Sequence, residues 1–420
     1  MNTTKTTPIR LSLFLLSMAI LATVPWILVR AAGVHLTPGW EVLLTGVAII
    51  GSAFLISWGA EVAQFDVPRS VAMAAVALIA ILPEYAVDIY LAWKAGKSAS
   101  YIPLVSANMT GGNRLIVGLG WSLTAVLAWW ALNCSKRAKS RDRSESGPTA
   151  PKRKKRSIHL EEELSIEIFF LALPTIYAFT LWARSAISVW DSAFLVLIYV
   201  AYVWMALKGP MKEPEVEGPA KLLSILPKPL RTLSSLALFA FSAFVIVIAT
   251  KPFAEGLIAT GKRAGIDEFL LIQWVAPLAS EAPEMLVLAY FAARGFGTAA
   301  LTAIISSTIN QWTLLVSSLP IAYSLSQGKL GHIPLEARPR EEVLLTACQS
   351  FFGLAIIADL SISLWEALVL FALFATQFFF PTLEARYFYS AVYVILGLIV
   401  LTKRGPALKK NLSYLGRYVR

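Results

Sequence analysis

Four carboxylates stand inside long apolar stretches of this sequence, Glu84 and Asp88 in one and Glu281 and Glu284 in another. Two of them follow a proline, in Ala80-Ile81-Leu82-Pro83-Glu84-Tyr85 and in Ser280-Glu281-Ala282-Pro283-Glu284-Met285, and the two Pro-Glu pairs lie 200 residues apart. Tyr90 and Tyr290 keep that offset. A carboxylate in the middle of a membrane helix opposes insertion by roughly 2.5–3.5 kcal/mol, so four of them oppose it by about 10–14 kcal/mol unless a partner, water or a cation compensates. The prolines add acceptors to the carboxylates. Having no amide N–H, Pro83 and Pro283 break the helical bond at Ile79 and at Ala279 and free two carbonyl oxygens. Hard cations take such sets, about six to eight oxygens at about 2.3–2.6 Å for Ca²⁺.

Beyond each Pro-Glu helix, past Gly96 and Gly295, a second apolar segment carries a polar cluster, Asn108-Met109-Thr110-Gly111-Gly112-Asn113 in one copy and Ser306-Ser307-Thr308-Ile309-Asn310-Gln311 in the other. Glu84 and Glu284, the Ile79 and Ala279 carbonyls, Asn108 and Ser307 would fill most of a cation shell. Asp88 and Glu281 stand one turn from the principal carboxylates on the same faces. These groups suit monovalent cations and protons as well as Ca²⁺, which is the logic of exchange at a shared site. Thr110, Gly111, Gly112, Thr308 and Gln311 have an alternative reading as small and hydroxyl residues that let helices approach. Asn113 and Asn310 are structural or coupling positions, as are Pro83 and Pro283. Arg114 lies mid-helix, where a fixed cation needs an anion, and Asp88 is the expected partner.

The elements that hold these residues are membrane helices. The chain is 57% hydrophobic with a mean hydropathy of +0.66, above the roughly 45–50% apolar content of soluble domains. A hydrocarbon core about 30 Å thick needs about 20 apolar residues per helix, and no alternating strands of a membrane barrel are visible. Window hydropathy places about twelve spans, at 11–33, 40–63, 70–94, 101–132, 164–183, 188–207, 233–258, 267–293, 297–325, 342–358, 361–380 and 386–402. The fold class is therefore an all-α membrane protein. The first span is read as an uncleaved helix, since its apolar run exceeds the core of a signal peptide.

Lys and Arg in short loops set the orientation. Lys136, Arg137, Lys139, Arg141, Arg143 and the Lys152 to Arg156 cluster place the 133–163 loop in the cytoplasm, and counting spans puts the 208–232 linker and both termini there too. Lys329, Arg338 and Arg340 fall outside. The 70–94 helix then runs outward and the 267–293 helix inward, an inverted repeat of the kind found in secondary transporters. The division that follows is an extra helix in 1–39, a first repeat in 40–207, a linker in 208–232, a second repeat in 233–380, and a last helix with a basic tail in 381–420. The net charge of +11 comes from these loops and tails and points to anionic lipid, with no aromatic interleaving to suggest nucleic acid.

On Leu82-Pro83-Glu84, Pro283-Glu284 and the two polar clusters, the chain resembles the calcium/cation antiporter superfamily, the sodium/calcium exchanger type of membrane protein. The resemblance spans roughly residues 40–380. It implies ten core helices as two inverted repeats of five, with the first and last spans as additions, and exchange of Ca²⁺ or another cation for Na⁺ or H⁺. Members usually carry Thr and Ser before the first Leu-Pro-Glu, where this chain has Ala80 and Ile81, and Ser where it has Glu281. Asn310, Gln311 and Trp312 stand where Gly, Ser and Asn are commoner. Ligand chemistry is thus shifted toward the second repeat. Arg114 is read either as a structural ion pair or as the occupant of a coupling cation's place.

Other classes fit less well. Glu281 and Glu284 could serve a membrane-embedded lipid enzyme as acid and base, but no Ser-His pattern or Gly-rich phosphate loop accompanies them. A channel would favour a symmetric ring over inverted paired sites. Cys134 and Cys348 are read as packing residues, and His35, His159 and His332 fall in expected loops, so neither thiol nor imidazole metal chemistry is supported. No cofactor is expected. The partners are membrane lipids and the transported inorganic cations, and the expected location is a prokaryotic cell (inner) membrane.

Overall fold

The computed structural model describes residues 9–66, 82–141, 157–162, 164–208, 216 and 218–419. Its helices are α1 (Ile9–Ala31), α2 (Pro38–Ala63), α3 (Leu82–Ala95), α4 (Ile102–Leu115), α5 (Ser122–Arg141), α6 (Leu164–Arg184), α7 (Val189–Ala206), α8 (Gly218–Ser224), α9 (Lys228–Ala264), α10 (Glu268–Ala293), α11 (Gly297–Asn310), α12 (Val316–Gln327), α13 (Ala337–Ile357), α14 (Leu364–Thr376) and α15 (Leu383–Val419). Four three-residue strands complete the order: β1 (Ser157–His159), β2 (Ala186–Ser188), β3 (His332–Pro334) and β4 (Ser361–Ser363). Among the described residues, eight helical stretches are long and apolar enough to cross a membrane. The chain is an all-α membrane protein.

Each expected span is mainly helical where it is described, but 361–380 opens with the strand residues Ser361–Ser363 and 188–207 with the strand residue Ser188, so their helices start at Leu364 and Val189. The 101–132 and 297–325 spans are each interrupted by a π-helical turn, Ile116–Trp121 and Gln311–Leu315, the device that lets a long membrane helix shift its face without ending. Further boundaries are corrected, and α5 runs to Arg141, into the expected 133–163 loop. Helix α15 runs to Val419, well past 402, and the 208–232 linker is partly helix: α8 packs Ala220 into a cluster with Ala19, Leu55, Trp58 and Val62. His159 and His332, expected in loops, lie in β1 and β3 because the backbone there is extended and paired.

The chain divides into two compact units, Met1–Asn108 with Pro210–Glu284, and Met109–Gly209 with Met285–Arg420. Each unit draws on both expected repeats. In the first unit α2 and α9 pack antiparallel: Gly46 lies against Phe253 and Gly59 against Phe239, while Gly256 lies against Val42 and Pro38. Absent side chains at those glycines let the two helices close up, the way apolar helices associate where no hydrophobic force separates them from lipid. Helix α9 then ends at Gly265, whose φ of 65° suits a left-handed C-cap.

The second unit carries the symmetry in hydrogen bonds. Strand β1, just before α6, pairs antiparallel with β4, just after α13; strand β2, just after α6, pairs with β3, just before α13. Helices α6 and α13 therefore run in opposite directions, fastened at both ends. The next helices start alike: Ser188 and Asp191 form a capping box on α7, and Ser363 and Glu366 form the same box on α14. Ser185 and Leu360 each take a positive φ at the turn before β2 and β4, 55° and 57°. Corresponding parts in inverted directions make these two copies of one plan.

Candidate functional site

The first unit holds the four carboxylates Glu84, Asp88, Glu281 and Glu284. Glu84 and Asp88 lie one turn apart on α3 and are both buried, and Glu281 is buried on α10 with Glu284 half-buried three residues on. The Asn108 side chain hydrogen-bonds Asp88, which joins the end of α4 in this unit to α3. Among the described residues, Asp88 Oδ1 and Asn108 Oδ1 accept no hydrogen bond, so each keeps an oxygen lone pair for a further ligand. Ile79, whose carbonyl is an expected ligand, lies outside the described residues, as do Ala80 and Ile81.

Helix α10 runs unbroken from Glu268 to Ala293 through both Pro277 and Pro283. The break expected at Ala279 is thus the loss of one hydrogen bond rather than of the helix. Its carbonyl still lacks the amide donor that Pro283 does not have, and a second proline, Pro277, does the same one and a half turns earlier. Ser280 softens this stretch by donating its hydroxyl to the Ala276 and Pro277 carbonyls at 3.3 and 3.2 Å. Ala279 itself is buried.

The second unit holds Asn113, Arg114, Ser307 and Asn310, all buried. Asn113 Nδ2 donates to the Met109 carbonyl at 3.0 Å, one turn back in its own helix. Thr308, read as helix glue, accepts the Trp121 indole N–H at 3.1 Å, and Trp312 donates to Ser350 at 2.9 Å, so the clusters around the π-helical turns are tied by indoles. Gly297 supports the same contact, since a Cβ there would collide with Ala128.

Arg114 is an ion pair, but its partner is Glu342 and not Asp88. The guanidinium binds the Glu342 carboxylate, whose other oxygen lies 2.6 Å from Arg386 Nε. Asp88 is the nearer anion in sequence, whereas Glu342 lies 228 residues away and is supplied by α13. The Gln349 amide also donates to the Arg114 carbonyl at 3.0 Å.

The first unit carries a further carboxylate that sequence reasoning misses. Glu255 of α9 accepts from the Tyr90 and Tyr101 hydroxyls at 2.5 and 2.7 Å and from Lys94 at 3.0 Å, tying α9 to the end of α3 and the start of α4. The signal for it was present, because Lys251 and Glu255 interrupt an apolar run much as Glu84 does. Outside the spans, the Arg231 guanidinium bound to Asp66 holds that carboxyl below its usual range. Among the described residues no group of three or more His, Cys, Asp or Glu side chains is arranged to hold a metal ion.

The family model described as "Sodium/calcium exchanger protein" matches residues 37–208 and 234–383. The crystal structure of the H⁺/Ca²⁺ exchanger CAX is 43% identical over 97% of this chain and 98% of its own, with a TM-score of 0.88. Two structures of the sodium-calcium exchanger NCX_Mj have the same fold at lower similarity. One, soaked with 2.5 mM Na⁺ and 10 mM Sr²⁺, is 17% identical over 81% of this chain and 97% of its own, with a TM-score of 0.51. The other, soaked with 2.5 mM Na⁺ and 0.1 mM Ca²⁺, is 16% identical over 82% and 98%, with a TM-score of 0.52. Among curated proteins no sequence matches the chain.

Proposed function

The chain belongs to the sodium/calcium exchanger protein family, and from that premise we propose that it is a secondary antiporter exchanging Ca²⁺ for H⁺, with Na⁺ or another cation as the alternative counter-ion. The observation that carries this reading is the pair of Pro-Glu carboxylates, 200 residues apart in the two expected repeats, with Glu284 on a helix in which Pro283 leaves the Ala279 carbonyl without its helical donor. Support for Ca²⁺ and H⁺ comes from the exchanger that is 43% identical over nearly the whole chain.

Glu84 and Glu284 bind the cation in this proposal, with Asp88, Asn108, Glu281, Ser307 and the Ile79 and Ala279 carbonyls completing its oxygen shell at successive stages. A site of two or three carboxylates releases Ca²⁺ when protons neutralise it, because the oxygens that bind the ion are the ones that bind the protons. Exchange follows from this competition, provided the site opens to one side at a time. The repeats are 40–207 and 233–380, and the basic tail, with Lys403, Arg404, Lys409 and Lys410, keeps the C-terminus cytoplasmic.

The test is ion flux in proteoliposomes loaded with Ca²⁺, under an imposed pH or Na⁺ gradient, with Glu84→Gln and Glu284→Gln beside the parent chain. Ca²⁺ movement driven by the pH gradient and abolished by either substitution is the expected result. Movement driven only by Na⁺ would replace the counter-ion. No Ca²⁺ movement under any gradient would overturn the Ca²⁺ reading and favour a monovalent cation/proton antiporter on the same fold.

A further inference from the structure

Glu341 begins the second turn of α13 and has no exposed surface, and among the described residues neither of its carboxylate oxygens accepts a hydrogen bond. Its neighbour Glu342 is equally buried but is held between Arg114 and Arg386. The surroundings are a polar network inside the second unit. Gln349 ties α13 to the Arg114 carbonyl, and Gln377 donates to the Tyr393 hydroxyl at 2.8 Å two turns along α15 from Arg386. The amide oxygens of Gln349 and Gln377 also accept no bond among the described residues.

The charged groups bearing on Glu341 are Arg386 from α15, Glu342 and Arg338 from α13, and Arg114 from α4. Helix α6, the other element packed along α13, receives Arg340 at its Trp182 carbonyl, and the charged residue at that end, Arg184, is committed to Asp191. The turn at Ile116–Trp121 brings no charge. Two buried arginines and one buried carboxylate leave the network at +1 when Glu341 is neutral and at zero when it is ionised. Coulomb attraction thus favours the anion, while the absence of donors and of water-exposed surface favours the acid. Opposed forces of this kind poise a group between its two states.

We propose that Glu341 is a proton-binding site of the second unit, separate from the Pro-Glu carboxylates, and that its proton switches the net charge of the Arg114–Glu342–Arg386 network. The site stands apart from the transport reading: it would titrate in a chain that moved no ion at all. Its ligand is a proton because the buried guanidinium groups of Arg114 and Arg386 bear on the site and oppose a metal cation, and among the described residues no group of three or more His, Cys, Asp or Glu side chains is arranged to hold one.

The test is the pH dependence of unfolding by SDS in mixed micelles, for the parent chain and for Glu341→Gln, which keeps the shape of the neutral acid. One proton held by the folded state and released on unfolding makes the parent lose about tenfold in its folding equilibrium per pH unit across the range where that proton leaves. Glu341→Gln is expected to lower that slope by the one proton, about tenfold per pH unit. An unchanged slope would overturn the proposal. Should the variant fail to fold, the parent chain is treated with dicyclohexylcarbodiimide, which adds to protonated carboxyls in apolar surroundings, and the product is mapped by peptide mass. Modification at Glu341 that fades as the pH rises upholds the site, and modification of Glu84 or Glu281 with none at Glu341 overturns it.

Discussion

Glu342→Gln tests the buried charge network most directly. Glu342 has no exposed surface, and its two oxygens serve Arg114 on one side and Arg386, at 2.6 Å, on the other. Glutamine keeps the shape but removes the only charge that both guanidinium groups touch, and it turns an N–H₂ group toward one of them. Losing one partner of a buried pair costs about 3–5 kcal/mol, because the remaining charge is left without compensation. Here two cations are left, so the upper half of that range is expected, a fall of roughly three powers of ten or more in the folding equilibrium. Arg114→Gln should cost less, about 1.5–3 kcal/mol, since Glu342 keeps Arg386. The two changes together should fall short of their sum by about 0.5–3 kcal/mol. The assay is SDS-induced unfolding in mixed micelles followed by tryptophan fluorescence, with Asp88→Asn as the control that should show no coupling to Arg114→Gln. A cost below about 1 kcal/mol for Glu342→Gln, the worth of an exposed pair, would refute the reasoning, as would strong coupling between Arg114 and Asp88.

Other consequences are open to simpler measurement. Gly297→Ala, which drives a methyl into Ala128, should cost about 1–3 kcal/mol of unfolding free energy by overpacking. Thr308→Val removes the acceptor of the Trp121 indole and should lower stability by about 1–3 kcal/mol while changing the tryptophan emission spectrum. Ser363→Ala takes away the α14 capping box and should cost about 1 kcal/mol, with no effect expected from Ser234→Ala, a hydroxyl bonded only within its own helix, beyond a few tenths. Because Arg231 holds the Asp66 carboxyl below its usual range, the stability from that pair is complete above about pH 4 and is lost as the pH falls through the folded-state value. Asp66→Asn should flatten that acid limb of the unfolding profile, and an unchanged limb would show that the pair contributes nothing.

The helical membrane fold was legible because the spans are written as long apolar runs, and the Pro-Glu pairs were legible because a charge inside such a run stands out. Partnerships across the fold were not. Arg114 announces that it needs an anion, but no spacing rule singles out Glu342 across 228 residues, and one-turn geometry offered the nearer Asp88 instead. A second repeat signal stands in plain sequence: Ile187-Ser188-Val189-Trp190-Asp191 and Ile362-Ser363-Leu364-Trp365-Glu366 lie 175 residues apart, against 200 for the Pro-Glu pairs. A search at one fixed offset misses it, because the basic loop at 133–163 lengthens the first copy. Such short motifs carry turn and capping chemistry, and they recur for the same reason as the carboxylates, since each copy must start the same helix.

Two rods pinned together at both ends cannot slide. That is the mechanical condition of α6 and α13, whose flanking strands pair as Ser157 to His159 with Ser363 to Ser361 and as Ala186 to Ser188 with Pro334 to His332. Translation of one helix past the other would have to break both ladders at once, and a slip of a single residue would turn Ile158, Ile187, Ile333 and Ile362, all buried, onto the opposite faces. A slip that restored their burial would need a jump of about 6–7 Å, two strand residues, with no gradual path to it. The pair can tilt or rotate as a single body but cannot work as a piston, so whatever this half of the molecule contributes to ion movement it contributes as a stiff frame.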